Sequence, residues 1–206
     1  MHAEIAAIDD VHTRMLEAAQ RRFYTDGITA TGVDVLAREA GVSKRTLYNH
    51  FGSKDGLVTA YLHRREERWR RRVADLLDRA GDDPVARLSA YVRGYGERPD
   101  GTDFRGCAFV NAAAELADDG HPALGVVRGS IDNVERGVRQ ILVDAGVADA
   151  EELAAQILLV LEGAIAVGGI RRSEDAFDEA ERLIARLVTP HLPSAAEADG
   201  HDRARP

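Results

Sequence analysis

An all-α fold is what this 206-residue chain predicts, on three observations. Apolar residues recur at helical spacing between clear breakers, Ala and Leu are abundant, and aromatic residues are only 5% of the chain, a balance that favours helices over strands. The arrangement expected is an N-terminal three-helix head, residues 1–54, containing a helix-turn-helix. A long helix then leads into a larger helical domain, residues 55–190, making about nine helices, and a tail over residues 191–206 reads as disordered.

The elements follow from local signals. The first eight residues read as frayed, with Asp9 or Asp10 capping a helix to about Thr25 whose inward stripe is Val11, Met15, Ala18, Ala19 and Phe23. Thr31, with Asp34 three residues on, is placed to cap a short second helix, where Val33, Leu36, Ala37 and Ala40 fall at i, i+3, i+4 and i+7. Gly41 ends it. Ser43 is placed to cap a third helix, Lys44 to Phe51, with Leu47 and Phe51 inward and Lys44, Arg45, Thr46, Tyr48, Asn49 and His50 on its other face. Ser53 then caps a helix from about Lys54 to Ala80, roughly 40 Å long at about 1.5 Å per residue.

Beyond it, Pro84 opens a helix to about Gly96, ERPDGTDF reads as a loop, and further helices are expected over Arg105–Asp119, Ala123–Ala145 and Asp149–Gly168. A last helix, capped at or near Ser173, carries the stripe Phe177, Ala180, Ile184, Leu187 and Val188, and Pro190 closes the folded part.

Charge is spread unevenly. The formal net charge is −8, yet residues 1–72 hold 13 Lys+Arg against 10 Asp+Glu, and residues 73–206 hold 14 against 25. Only the first third has the sign that DNA requires. Between Gly41 and Lys54 there are three basic residues and no acidic one. A short helix that gives so little of itself to a core, and shows cations and hydrogen-bonding tips outward, suits a duplex groove.

The run G-V-S-K-R-T-L-Y-N-H-F-G-S-K-D-G-L, with a capped helix ten residues before it, resembles the DNA-binding signature of the TetR family of transcriptional regulators. Tyr48, Phe51, Lys54 and Leu57 carry the match, which covers roughly Asp9 to Leu62; Gly32 departs from it, since members often have a second Thr there. The resemblance implies a homodimeric, ligand-responsive regulator in the cytoplasm, most often a repressor released from a palindromic double-stranded DNA operator by a small-molecule effector. It also implies dimerisation through the last two helices as a four-helix bundle. Arg45 is the residue expected to read a base, with Lys44 beside it; Thr46, Tyr48, His50, Lys54 and, from the preceding helix, Thr31 are expected on phosphates, and Asn49 shares the outward face.

Several features carry two readings. The six arginines between His63 and Arg72 are either an electrostatic attraction for DNA or a solvated face laced to Glu66 and Glu67. Cys107, Asn111 and Glu115 stand at i, i+4 and i+8, and with Trp69, Tyr91, Tyr95 and Glu162 they are candidates for the effector pocket that the resemblance implies. Cys107 is also either a redox or electrophile sensor or a small buried apolar residue. Glu162 is either a ligand anchor or a hydrogen-bonding group at a dimer interface.

Other classes are disfavoured. No Cys, His and orienting residue form a local catalytic motif, no phosphate-binding glycine motif is present, and the seven His residues are too scattered for a metal signature, so neither enzyme, metal nor cofactor is expected. The single Cys excludes an intrachain disulfide, and MHAEIAAIDD lacks the basic region of a secretory signal. LAAQILLVLEGAIAVGGI is about the length of a membrane span, but Gln156 and Glu162 lie within it, so protein partners rather than lipid are expected around it.

Overall fold

The structure is a computed structural model that describes residues 2–96 and 104–193, with side chains from Asp10 onward. Among the described residues there are nine α-helices and no strand. They are α1 (His2–Thr25), α2 (Val33–Ala40), α3 (Lys44–Phe51), α4 (Lys54–Ala80), α5 (Pro84–Gly96), α6 (Ala108–Glu115), α7 (Pro122–Asp144), α8 (Ala150–Arg171) and α9 (Asp175–Val188). Residues 97–103 of the expected ERPDGTDF loop and residues 194–206 of the expected 191–206 tail lie outside the described residues. Thr189–His191 form a 3-10 turn, so the ordered chain runs past Pro190.

Two helices differ in extent from the sequence reading. Helix α1 begins at His2, not at Asp9 or Asp10. Helix α6 covers only the middle of the expected Arg105–Asp119 segment: Arg105 N donates to Tyr24 Oη at 2.9 Å and the Tyr24 hydroxyl donates to the Gly106 carbonyl at 3.1 Å, which holds residues 105–106 out of the helical ladder. Leu116, with ψ 88°, ends it.

The chain forms two compact units: Met1–Arg68 with Arg105–Ser130, and Trp69–Phe104 with Ile131–Pro206. Packing thus divides the chain otherwise than a cut at residue 54 would, since α6 and the start of α7 belong with the head. Helix α4 begins in the first unit and ends in the second without a break.

The first unit has one core. Met15, Ala18, Ala19 and Phe23 of α1 meet Leu36, Ala37 and Ala40 of α2, Leu47 of α3, and Leu57, Tyr61 and Leu62 of α4; Phe109 and Ala112 of α6 and Val126 and Val127 of α7 join the same cluster. Phe23 and Tyr61 meet edge to face, with centroids 5.6 Å apart. Burial pushes the Tyr61 phenol up to about 12.

In the second unit, α8 packs along α9 and α5, and α9 along α5. Leu153, Ile157, Leu161 and Ile165 of α8 and Phe177, Ile184 and Val188 of α9 are buried, as are Leu88 and Val92 of α5 and Val134, Val138, Ile141 and Leu142 of α7. Phe104 meets Phe177 edge to face at 5.5 Å. Helix α8 is long and apolar enough to cross a membrane by length and composition alone, yet its buried stripe faces protein, which is the helix-on-helix outcome expected from Gln156 and Glu162.

Candidate nucleic-acid interface

The turn between α2 and α3 is set by Gly41, whose φ of 66° is the left-handed region where a side chain is strained. Its amide and that of Val42 close back on Arg38 and Ala37. Arg14 of α1 adds a guanidinium bond to the Ala40 carbonyl at 3.0 Å, satisfying one more orphan acceptor at the end of α2. Helix α3 starts where its cap says it should: Ser43 Oγ accepts the Thr46 amide at 3.0 Å. Ser53 does the same for α4 through the Gly56 amide at 2.9 Å.

The expected cap of α2 is not formed. Gly32 is its N-cap, and Thr31 is buried at 3% exposure with Oγ1 donating to the Gly27 carbonyl at 2.6 Å. The Thr31 hydroxyl is therefore occupied inside the protein, and only backbone at this helix start faces outward chemistry. Asp34, freed from capping, pairs with Lys44 at 2.7 Å, and this hydrogen bond raises the Lys44 ammonium above its ordinary value.

Helix α3 uses one fully buried side chain, Leu47, and half-buries Phe51, which stacks on His12 at 4.9 Å. His50 lies beside the same pair, 6.1 Å from the His12 ring, so it sits toward α1 at the edge of the face. Lys44, Arg45, Tyr48 and Asn49 are exposed, with Tyr48 at 45%. Thr46, His50 and Lys54 are half-buried, and Thr46 Oγ1 lies 2.8 Å from the capping Ser43 hydroxyl. The surface so made is a row of cations, a phenol and an amide, with the carboxylate of Asp34 at one end.

Sequence reasoning missed how α1 is tied to α2. Arg21 Nε bonds Glu39 at 2.8 Å, and Arg22 bonds the other oxygen of the same carboxylate and also Asp26. Nothing local announces a partner 17 and 18 residues away. The Glu39 carboxyl lies below its ordinary value: desolvation raises it, and the two arginine hydrogen bonds together outweigh that.

The seven residues expected to line an effector pocket belong to different units. Trp69, Tyr91 and Tyr95 form an aromatic cluster in the second, with Trp69 5.2 Å from Tyr95 and 6.0 Å from Tyr91 between centroids. Among the described residues the Trp69 indole nitrogen is buried without a hydrogen-bond partner, and burial raises the Tyr91 phenol. Glu162 is half-buried on α8, and desolvation raises its carboxyl. Cys107, Asn111 and Glu115 belong to the first unit. Cys107 precedes α6, so the three do not share a helical face as their spacing suggests; it is in no disulfide and is half-buried against the core. Asn111 Nδ2 donates to the Arg105 carbonyl at 3.0 Å, and Glu115 Oε2 accepts the Thr29 amide at 2.8 Å. Among the described residues no cluster of His, Cys, Asp and Glu could hold a metal ion.

An α1-supported pair of helices joined by a left-handed turn, presenting a basic, polar second helix, defines a helix-turn-helix DNA-binding protein. Comparison with known proteins agrees. Residues 15–61 match the family model for bacterial regulatory proteins of the tetR family, and residues 84–183 match that for the C-terminal domain of LmrA/YxaF-like transcriptional regulators. A crystal structure of a putative TetR transcriptional regulator from Streptomyces avermitilis is 30% identical, with TM-score 0.68, covering 86% of this chain and 97% of that one. A TetR-family regulator from Streptomyces coelicolor is 29% identical, with TM-score 0.79, covering 88% and 97%. LmrA of Bacillus subtilis is 32% identical over 85 residues, 41% of this chain; matched stretches span 35–56% of the length of such curated relatives. The chain belongs to the TetR family of DNA-binding transcriptional regulators. Family and fold indicate a regulator rather than an enzyme.

Proposed function

We propose that the protein is a cytoplasmic homodimer that represses transcription from a near-palindromic operator and leaves it when a small molecule binds. The observation that carries the DNA-binding part is the outward face of α3, where Arg45, Tyr48 and Asn49 are exposed while Leu47 alone is fully buried. Arg45, near the helix start, reads guanine through O6 and N7. Tyr48, Thr46, His50 and Lys54 hold phosphates, Lys44 supports Arg45 when it is released from Asp34, and the α2 N-terminus contributes backbone amides.

Dimerisation through α8 and α9 is supported by the side chains left uncovered there: Leu159 is 73% and Ile170 84% exposed, with Val167 and Leu183 near 39%. An unpartnered stripe of that kind is what a self-complementary two-fold interface covers. The effector is assigned to the Trp69, Tyr91 and Tyr95 cluster, where the unpartnered indole N–H offers a donor to an aromatic or apolar ligand that bears an acceptor. A ligand releases DNA only if it favours one dimer geometry over another.

The test is selection from a randomised duplex library by ligand-free, refolded protein at stated salt, beside an Arg45→Ala, Tyr48→Ala control. A near-palindrome enriched by the parent and lost in the control is the expected result. Absence of enrichment at every salt concentration overturns the reading.

A further inference from the structure

The turn that joins α1 to α2 is gripped by side chains from a distant part of the sequence. Arg105 Nη1 donates to the Tyr24 carbonyl at 3.0 Å and also to that of Thr25, satisfying acceptors that the end of α1 leaves open. Glu115, the last residue of α6, accepts the Thr29 amide at 2.8 Å. Its two carboxylate oxygens stand over Gly27: a Cβ built there would lie 3.1 and 3.2 Å from them, and Gly27 has φ +97°. The grip therefore depends on a glycine at this position, both for backbone and for space.

The turn is in turn wired to the helix-turn-helix. The Gly27 carbonyl accepts the Thr31 hydroxyl at 2.6 Å, and Thr31 stands one residue before Gly32, the N-cap of α2. From α2 the chain reaches α3 through Gly41 alone among left-handed residues. A displacement of residues 27–31 thus passes into α2 and on to α3 with few torsions to absorb it. We propose that Glu115 is a positioning residue for DNA binding: seated at the end of α6, its carboxylate fixes the α1–α2 turn and through it the setting of the recognition helix. The inference rests on the DNA-binding reading for its functional consequence.

Charge alone predicts the opposite sign. Removing a carboxylate from a head that approaches a polyanion should strengthen binding; removing a positioning bond should weaken it. Three variants of the full chain separate these. Glu115→Ala loses the bond, Glu115→Asp keeps the charge but is a methylene short of Thr29, and Glu115→Gln loses the charge but keeps an acceptor. Against the duplex enriched by the parent protein, Ala and Asp should bind about tenfold more weakly or worse, and Gln within about threefold. Hydrogen exchange at the Thr29 amide should speed up in Ala and Asp and stay near parental in Gln. Parental or tighter binding by Ala overturns the proposal, as does Gln as weak as Ala. Should Ala fail to fold, the Asp and Gln pair decides by the same criteria. If the parent enriches no duplex, the DNA-binding reading has failed, and unchanged Thr29 exchange in Ala and Asp still overturns the grip itself.

Discussion

Between His63 and Arg72 helix α4 carries six arginines, and between Gly41 and Lys54 the helix-turn-helix carries three basic residues. The larger group is turned largely to internal use. Arg64 donates to the Thr13 carbonyl at 3.3 Å and lies 3.5 Å from Glu17, Arg65 stacks over the Tyr24 ring at 4.5 Å, Arg68 bonds Gln20 at 2.6 Å and Arg72 bonds the Gly94 carbonyl at 3.2 Å. In the smaller group Lys44 has Asp34, but Arg45 and Lys54 have no partner among the described residues. The difference teaches that a count of cations does not locate a nucleic-acid face. A guanidinium bonded to a backbone carbonyl or stacked on a ring is already part of the fold, and moving it to a phosphate would leave that group unsatisfied.

The contrast can be broken in four ways. The largest effect is expected from the inner side of α3: Leu47→Ala should cost about 2–5 kcal/mol in denaturant unfolding, because Leu47 is wholly buried, without changing which sequence the folded fraction prefers. Next, Arg45→Ala should lose about 1–3 kcal/mol of discrimination at one operator position, whereas Lys54→Ala should weaken all duplexes alike and lower the salt slope by about one. Equal losses on every duplex for both would erase the division between base reading and phosphate holding.

Third, Arg64→Ala should lower stability by about 1 kcal/mol and leave DNA affinity at fixed salt within about twofold. Burial, with the like charge of Arg68, lowers the Arg64 guanidinium from its ordinary value, the mark of a charge drawn partly out of water. A loss of DNA binding matching that of Lys54→Ala would show that the α4 arginines do face DNA. The smallest effect concerns a charge of the other sign. Desolvation raises the Glu162 carboxyl above its ordinary 4.5, so the folded chain holds that proton to higher pH than the unfolded chain does, and ionisation opposes folding as pH rises through this window. Glu162→Gln should therefore be the slightly more stable protein at pH values above the ordinary carboxylate range, with the advantage lost as pH falls below that range. Melting curves at several pH values check the sign.

What the sequence revealed was what local chemistry decides. Ser43, Ser53 and Pro84 mark the starts of α3, α4 and α5 because a cap or a fixed φ acts within three residues. The start of α6 was illegible because Tyr24, some 80 residues earlier, sets it. Thr31 had the residue type of a cap, yet its hydroxyl found the Gly27 carbonyl first. The outward face of α3 could be read from the position of Leu47, since one buried residue fixes the rotation of an eight-residue helix. The reach of Glu115 to Thr29 could not, because spacing along α6 says nothing of the turn waiting beside it.

The head of this regulator is also discontinuous in the chain: Met1–Arg68 needs Arg105–Ser130 to complete it. A gene fragment ending at Arg68 would strip Phe109, Ala112, Val126 and Val127 from the core and take away both Arg105 and Glu115. The DNA-reading part is therefore not a cassette that can be grafted onto another protein by cutting after α4. A working chimaera must carry α6 and the first turns of α7 with the head, and the parts exchanged for a new sensor are both stretches of the second unit, residues 69–104 and those from 131 onward.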